Sequence, residues 1–206
     1  EPVIVNDPYT RLIYIDMSRD SFKLGGSCFA QILNTVGSEV PTIKDPAYFT
    51  EAFNSIQTLI EQGKILAGHD ISAGGMITTL LEMCFPNTRG GLSVNLSAVD
   101  ERDIVKILFS QNPGVIIRVK DENEVTDFLF EHGISYFSIG HPVNESALFF
   151  TKNNQTHVFD IDRLRDKWFY TSYLLDRKQS GKELALERFG NYKKHELIFK
   201  IEGFEG

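Results

Sequence analysis

Leu66-Ala67-Gly68-His69-Asp70-Ile71-Ser72-Ala73-Gly74-Gly75 passes from an apolar run to an acid, a hydroxyl and paired glycines. Behind it Met76, Ile77, Leu80, Leu81 and Cys84 recur at helical spacing, so the stretch reads as a strand, a tight loop and a helix start. Glycines let backbone approach a ligand closely, and a helix N-terminus offers unpaired N–H groups to an anion. Asp70 has the chemistry to hold a hard cation such as Mg²⁺ on a phosphate. The same residues also serve a plain turn, because Asp and Ser are good helix caps. The run fits neither the Walker A pattern, which needs Gly-Lys-Ser/Thr, nor Gly-x-Gly-x-x-Gly, so any phosphate chemistry follows another pattern.

Upstream, Leu12-Ile13-Tyr14-Ile15-Asp16-Met17 reads as a strand. Leu24-Gly25-Gly26-Ser27 then opens a helical pattern through Phe29, Ile32, Leu33 and Val36. Asp45-Pro46 starts a second helix, with Pro at its first position and Phe49, Phe53, Ile56, Leu59 and Ile60 on its apolar face. Downstream, Leu92 to Leu96 alternates like a half-buried strand, and Ile104 to Phe109 reads as a short helix. A strand at 115–119, a helix from Glu122 to Phe130 and strands at 136–140 and 147–150 continue the alternation. The fold class is α+β (layered α/β), a mixed sheet covered by helices, over residues 1–155. A charged helical appendage follows over 156–206, with two helices around Arg177 and an extended connector from Gly190.

Net charge is −7, which argues against a broad nucleic-acid-binding surface. Cys28 and Cys84 are the two cysteines, each in an apolar helical pattern, so a disulfide framework is not expected and a reducing cytoplasm fits. No apolar run approaches the roughly 18 residues of a membrane span. The chain begins without Met inside an ordinary-looking segment and is read as a piece of a longer polypeptide.

These pieces carry a resemblance. Leu24-Gly25-Gly26-Ser27 with Ala30-Gln31, then Leu66 to Gly75, then Glu82-Met83-Cys84-Phe85 stand in the order of a C-terminal domain of the aminoimidazole-ribonucleotide-synthetase type. The chain resembles that domain as it occurs in phosphoribosylformylglycinamidine synthases, the large amidotransferases of purine biosynthesis. Trp168-Phe169-Tyr170-Thr171-Ser172-Tyr173 looks like the segment that joins it to a glutaminase domain. The similarity covers most of residues 10–200, and it departs at Ala73, where the family usually has Asp.

The resemblance implies a carbon–nitrogen ligase that converts formylglycinamide ribonucleotide to the amidine, with ATP as substrate, Mg²⁺ as cofactor and ammonia released from glutamine. Family members phosphorylate the amide oxygen before ammonia displaces the phosphate, in a cleft between an N-terminal barrel half and this half. On that basis the chain is expected to supply a Mg-ATP half-site, to need the N-terminal synthetase and glutaminase domains of the same polypeptide as partners, and to be inactive alone. Another ATP-dependent member of the superfamily and a non-catalytic, nucleotide-holding module are the alternatives. By resemblance Asp70 is the metal ligand and Ser72, with Gly74 and Gly75, contacts ATP. Gly25, Gly26 and Ser27 are a second anion turn for the substrate ribose phosphate; no catalytic residue is assigned. Strand alternation turns His69 away from Asp70 as a structural residue. Glu82 is expected in a salt bridge, Cys28 and Cys84 in the core, and the aromatics around Trp168 at an interdomain surface.

Overall fold

The computed structural model describes residues 2–194. Its centre is β1 (Arg11–Asp16), whose Leu12, Ile13, Tyr14 and Ile15 are all fully buried. A strand apolar on both faces belongs in the middle of a covered sheet, and β1 is flanked on both sides. The remaining strands are β2 (Ile65–Asp70), β3 (Gly91–Asn95), β4 (Gly114–Val119), β5 (Tyr136–Val143), β6 (Ala147–Lys152) and β7 (Gln155–Asp160). They form one seven-stranded sheet in the order β2-β4-β1-β5-β3-β6-β7. Neighbours run antiparallel except β3 and β6, so the sheet is mixed, as the alternation of element types predicts.

Helix α2 (Pro46–Glu61) starts where Asp45-Pro46 predicts, with the Asp45 carboxylate accepting from the N–H groups of Ala47 and Tyr48. Its Tyr48, Ala52, Ile56 and Leu59 pack with Val125 and Leu129 of α5 (Glu122–Glu131) against Ile13, Ile15, Ile117 and Val119 of the sheet. Helix α3 (Gly75–Cys84) buries Met76, Leu80 and Met83, and it abuts the short α4 (Ile104–Phe109).

Two expectations about element extent are corrected. The helix begun at Gly25-Gly26-Ser27 is only the five-residue α1 (Cys28–Ile32). Asn34 turns left-handed (φ 55°), and Ile32, Leu33 and Val36 are exposed instead of forming a buried face. The sheet also runs past residue 155 into β7. The chain divides into two compact units between Asp162 and Arg163.

The second unit contains most of α6 (Ile161–Ser180), then α7 (Lys182–Asn191) and a 3₁₀ turn at Tyr192–Lys194. The break between helices falls at Gly181 (φ 88°), not at Arg177, because the turn needs a left-handed residue. Within this unit the Tyr173 ring packs tilted against Phe189 at 5.0 Å and Phe169 stacks on Tyr192 at 4.3 Å, so part of the aromatic cluster holds the helical pair together. The connector expected from Gly190 is helical as far as Lys194, and its remainder lies outside the described residues.

Candidate functional site

The loop from Asp70 to Gly75 lies between β2 and α3. Asp70 ends the strand, and its main-chain oxygen accepts from Thr79 Oγ1 (3.0 Å) on α3 and from His69 Nδ1 (2.8 Å). A carbonyl only accepts, so Nδ1 carries the proton. The backbone is thus pinned from both sides while the Asp70 side chain stays 77% exposed. Neither Asp70 nor Ser72 caps the helix. The N-cap is Gly74, which makes no side-chain cap hydrogen bond, and Ser72 contributes only its carbonyl, to Gly75 N at 3.0 Å. The plain capping explanation of this acid and hydroxyl therefore fails, and both side chains face solvent at a helix start.

His69 does not turn away as strand alternation predicts. Its Nδ1 is 3.5 Å from Asp70 Oδ1 and its Nε2 is 3.5 Å from Glu82 Oε2, so the imidazole lies between the two carboxylates. The register shift of β2 lies at its other end, between Ile65 and Ala67, and pairing is regular from Ala67 to Asp70; the ring of His69 is held at Asp70 by the hydrogen bond from its Nδ1 to the Asp70 carbonyl. The Glu82 carboxylate lies 3.5 Å from this ring, a contact that is a salt bridge when the imidazole is protonated.

Both glycines have positive φ, 91° at Gly74 and 78° at Gly75, and their space is taken by protein. A Cβ on Gly74 would strike the Thr78 side chain, and one on Gly75 would come within 2.7 Å of the carbonyl oxygens of Leu108 and Ser110. Gly74 lets the turn close over Thr78 of α3, and Gly75 lets it press against the end of α4.

The second turn is closed on itself. Gly25 N donates to Glu39 O (2.8 Å), Gly26 N to Val36 O (2.7 Å) and Ser27 N to Leu24 O (3.2 Å). The Ser27 hydroxyl donates to Leu24 O and accepts from Ala30 N, as the buried cap of α1. The donors expected to be free for a phosphate are already committed. Nearby, the nearly fully buried Asp20 carboxylate accepts from Lys23 Nζ (2.8 Å), Thr42 N (3.0 Å) and Thr42 Oγ1 (2.9 Å). Burial raises its pKa, but the hydrogen bonds from Lys23 and Thr42 outweigh that and hold the carboxyl well below the usual range.

The connector from α4 to β4 was not singled out by sequence reasoning, yet it touches both turns. Gln111 fits its surroundings with Oε1 accepting from Gly74 N (2.8 Å) and Cys28 N (3.1 Å). Asn112 Nδ2 donates to Ser18 Oγ, Asp20 O and Ser21 O at 3.1–3.3 Å. Gly114 O accepts from Ile71 N at 2.8 Å. A polar connector has no periodicity to betray it; only the proximity of two distant glycine turns gives it meaning.

A groove of about 390 Å³ opens beside Asp70. Phe53, Ile56 and Ile60 of α2 form one wall, Ala67, Val115 and Ile117 form the floor, and His69 and Asp70 lie at its rim. Among the described residues no cluster of three His, Cys, Asp or Glu side chains is arranged to hold a metal. One exposed carboxylate nevertheless fits Mg²⁺, which commonly takes one or two protein carboxylates and fills its shell with phosphate oxygens and water.

Residues 19–152 match the family model described as AIR synthase related protein, C-terminal domain. The chain is 29% identical over 195 residues to a probable phosphoribosylformylglycinamidine synthase, chloroplastic/mitochondrial, of Arabidopsis thaliana, covering 92% of this chain and 14% of the relative. It is 32% identical over 190 residues to the phosphoribosylformylglycinamidine synthase of Dictyostelium discoideum, covering 82% of this chain and 14% of the relative. It therefore spans about one seventh of the length of these relatives. In fold it is similar to T. maritima PurL complexed with ATP (TM-score 0.61, 13% identity, 79% of this chain and 27% of that one). The likeness extends to T. maritima PurL complexed with FGAR (TM-score 0.60, 15% identity, 79% of this chain and 29% of that one).

Proposed function

The chain belongs to the family of AIR synthase related C-terminal domains, and from that premise we propose that it supplies the Mg-ATP half-site of a phosphoribosylformylglycinamidine synthase. The reaction is the ATP- and glutamine-dependent conversion of formylglycinamide ribonucleotide to the amidine. The N-terminal synthetase and glutaminase domains of the same polypeptide complete the enzyme, and this segment alone is inactive. A cytoplasmic enzyme suits Cys28 and Cys84, neither of which forms a disulfide.

One observation carries the reading: the Asp70 carboxylate stands exposed on a backbone held by Thr79 and His69, at a helix start that neither Asp70 nor Ser72 caps. Asp70 is the ligand to Mg²⁺, and the metal, when bound, neutralises phosphate charge as the phosphoryl group is transferred. Ser72 offers an exposed hydroxyl to phosphate oxygens. Gly74 and Gly75 contribute by the turn they permit, and the adjoining groove gives a base apolar walls. With its N–H groups committed, the Gly25-Gly26-Ser27 turn has no backbone donor left to offer a substrate phosphate.

A second reading, a module that holds nucleotide without catalysis, is favoured by Ala73, which leaves this loop with a single carboxylate. The deciding measurement is ammonia-driven, ATP-dependent amidation by the complete enzyme carrying Asp70→Asn, with glutamine hydrolysis as internal control. Loss of a metal ligand is expected to slow amidation roughly a hundredfold or more while glutamine hydrolysis survives. Retention of both activities refutes the half-site and leaves the structural module.

A further inference from the structure

We propose that Gln111 is a positioning residue of the nucleotide site, its carboxamide oxygen joining the backbone N–H of Gly74 to that of Cys28 and so fixing the turn that bears Asp70 and Ser72. The inference rests on the nucleotide reading above and adds to it a residue outside the loop.

Two backbone amides, 46 residues apart in the chain, converge on one side-chain oxygen. Each lies at a helix start, where N–H groups have no partner within the helix, and each finds its acceptor in Gln111. The contact is part of a larger clamp. On one flank the Gly75 backbone meets the carbonyls of Leu108 and Ser110 so closely that no Cβ fits, and Ile71 N donates to Gly114 O. On the other flank the Phe29 ring lies 4.8 Å from that of Phe109, and the Asn112 amide holds the 18–21 segment by three hydrogen bonds. Residues 108–114 therefore grip the Asp70–Gly75 loop on one side and the 18–29 segment on the other, and Gln111 is the member that touches both.

The geometry favours a strut over a plug. A plug has to withdraw when an anion arrives, leaving the turn free to bind. Here the neighbours on both sides of Gln111 are themselves engaged, so removing its oxygen frees two amides and loosens the loop without opening a prepared site.

The experiment uses the complete enzyme carrying Gln111→Ala or Gln111→Glu, the latter keeping an acceptor oxygen. Amide hydrogen exchange is followed at Cys28 and Gly74, and affinity is measured for a non-hydrolysable ATP analogue with Mg²⁺. In Gln111→Ala, exchange is expected to accelerate at both amides together and analogue affinity to fall about five- to tenfold, the value of roughly one net hydrogen bond. KM for Mg-ATP is expected to rise more than kcat falls, and Gln111→Glu is expected to restore most of the protection and affinity. Unchanged exchange at the two amides, or affinity that holds or tightens when exchange accelerates, overturns the proposal. Asp70→Asn is run in parallel: if it weakens analogue binding while Gln111→Ala does not, the strut fails alone, and if it leaves binding intact, the nucleotide reading itself fails.

Discussion

Gly75→Ala tests how tightly the candidate site is built. At φ 78° an alanine is in the left-handed region, which costs about 1–2 kcal/mol. Its Cβ would also lie 2.7 Å from the carbonyl oxygens of Leu108 and Ser110 and 2.8 Å from the carbonyl carbon of Phe109. These are backbone atoms at the end of α4, unable to rotate away as a side chain does, and overpacking of this kind adds roughly 1–3 kcal/mol. The total is about 2–5 kcal/mol. Gly63→Ala supplies the internal comparison: Gly63 has φ 68° but nothing within 4 Å of the place an added methyl would occupy, so it carries the conformational cost without the clash. Part of that cost is offset by the lower entropy of the unfolded alanine chain, about 0.4–1 kcal/mol at either site. Urea unfolding followed by far-ultraviolet circular dichroism gives both losses. Gly75→Ala is expected to lose more than Gly63→Ala by about 1–3 kcal/mol, at equal m-value. Equal losses at the two positions refute the close approach of the Gly74-Gly75 turn to α4.

Two further outcomes are expected, besides those already given for Asp70 and Gln111. Tyr48→Phe keeps the ring under the Arg19 guanidinium but loses the hydroxyl that donates to Asp16 O (2.6 Å) and accepts from Ser135 N (3.0 Å), a loss of about 1–3 kcal/mol in urea unfolding. Asp20 has its pKa lowered in the folded state. Its stabilisation is therefore complete above the unfolded value near about 4 and is lost as pH falls from there towards the native value. In Asp20→Asn the urea midpoint is expected to be lower at pH 7 but to fall less steeply below pH of about 4; parallel pH curves for the two proteins contradict this.

The elements with strong chemistry were legible in the sequence. Asp45-Pro46 marks the start of α2, the buried run Leu12 to Ile15 marks the central strand, and the glycine pair marks the turn into α3. β7 was not legible from hydrophobic pattern, because it is an edge strand with most of its residues exposed. It had another signal: Asn153 and Asn154 both take positive φ, the requirement of a tight type I′ hairpin, and Asn tolerates it. Ile32, Leu33 and Val36 have helical spacing, yet α1 ends at Ile32 and all three are exposed, because periodicity does not tell whether a face is buried. In the site, Asp70 and Ser72 were readable as residue types in a loop. The His69 contact with Glu82 and the Gln111 bridge were not, since they depend on which loops the sheet brings together.

The place of β1 in the sheet also governs how the chain reaches its fold. It pairs with β4 and β5, and β4 begins about a hundred residues after β1 ends. At about 5–20 residues per second on the ribosome, the Leu12-Ile13-Tyr14-Ile15 run waits roughly 5–20 s for its first partner strand. Such distant pairings make folding slow, and an unpaired apolar β-segment is a site of intermolecular association. Variation that weakens β4 or β5 is therefore expected to lower yield during synthesis before it lowers stability once folded.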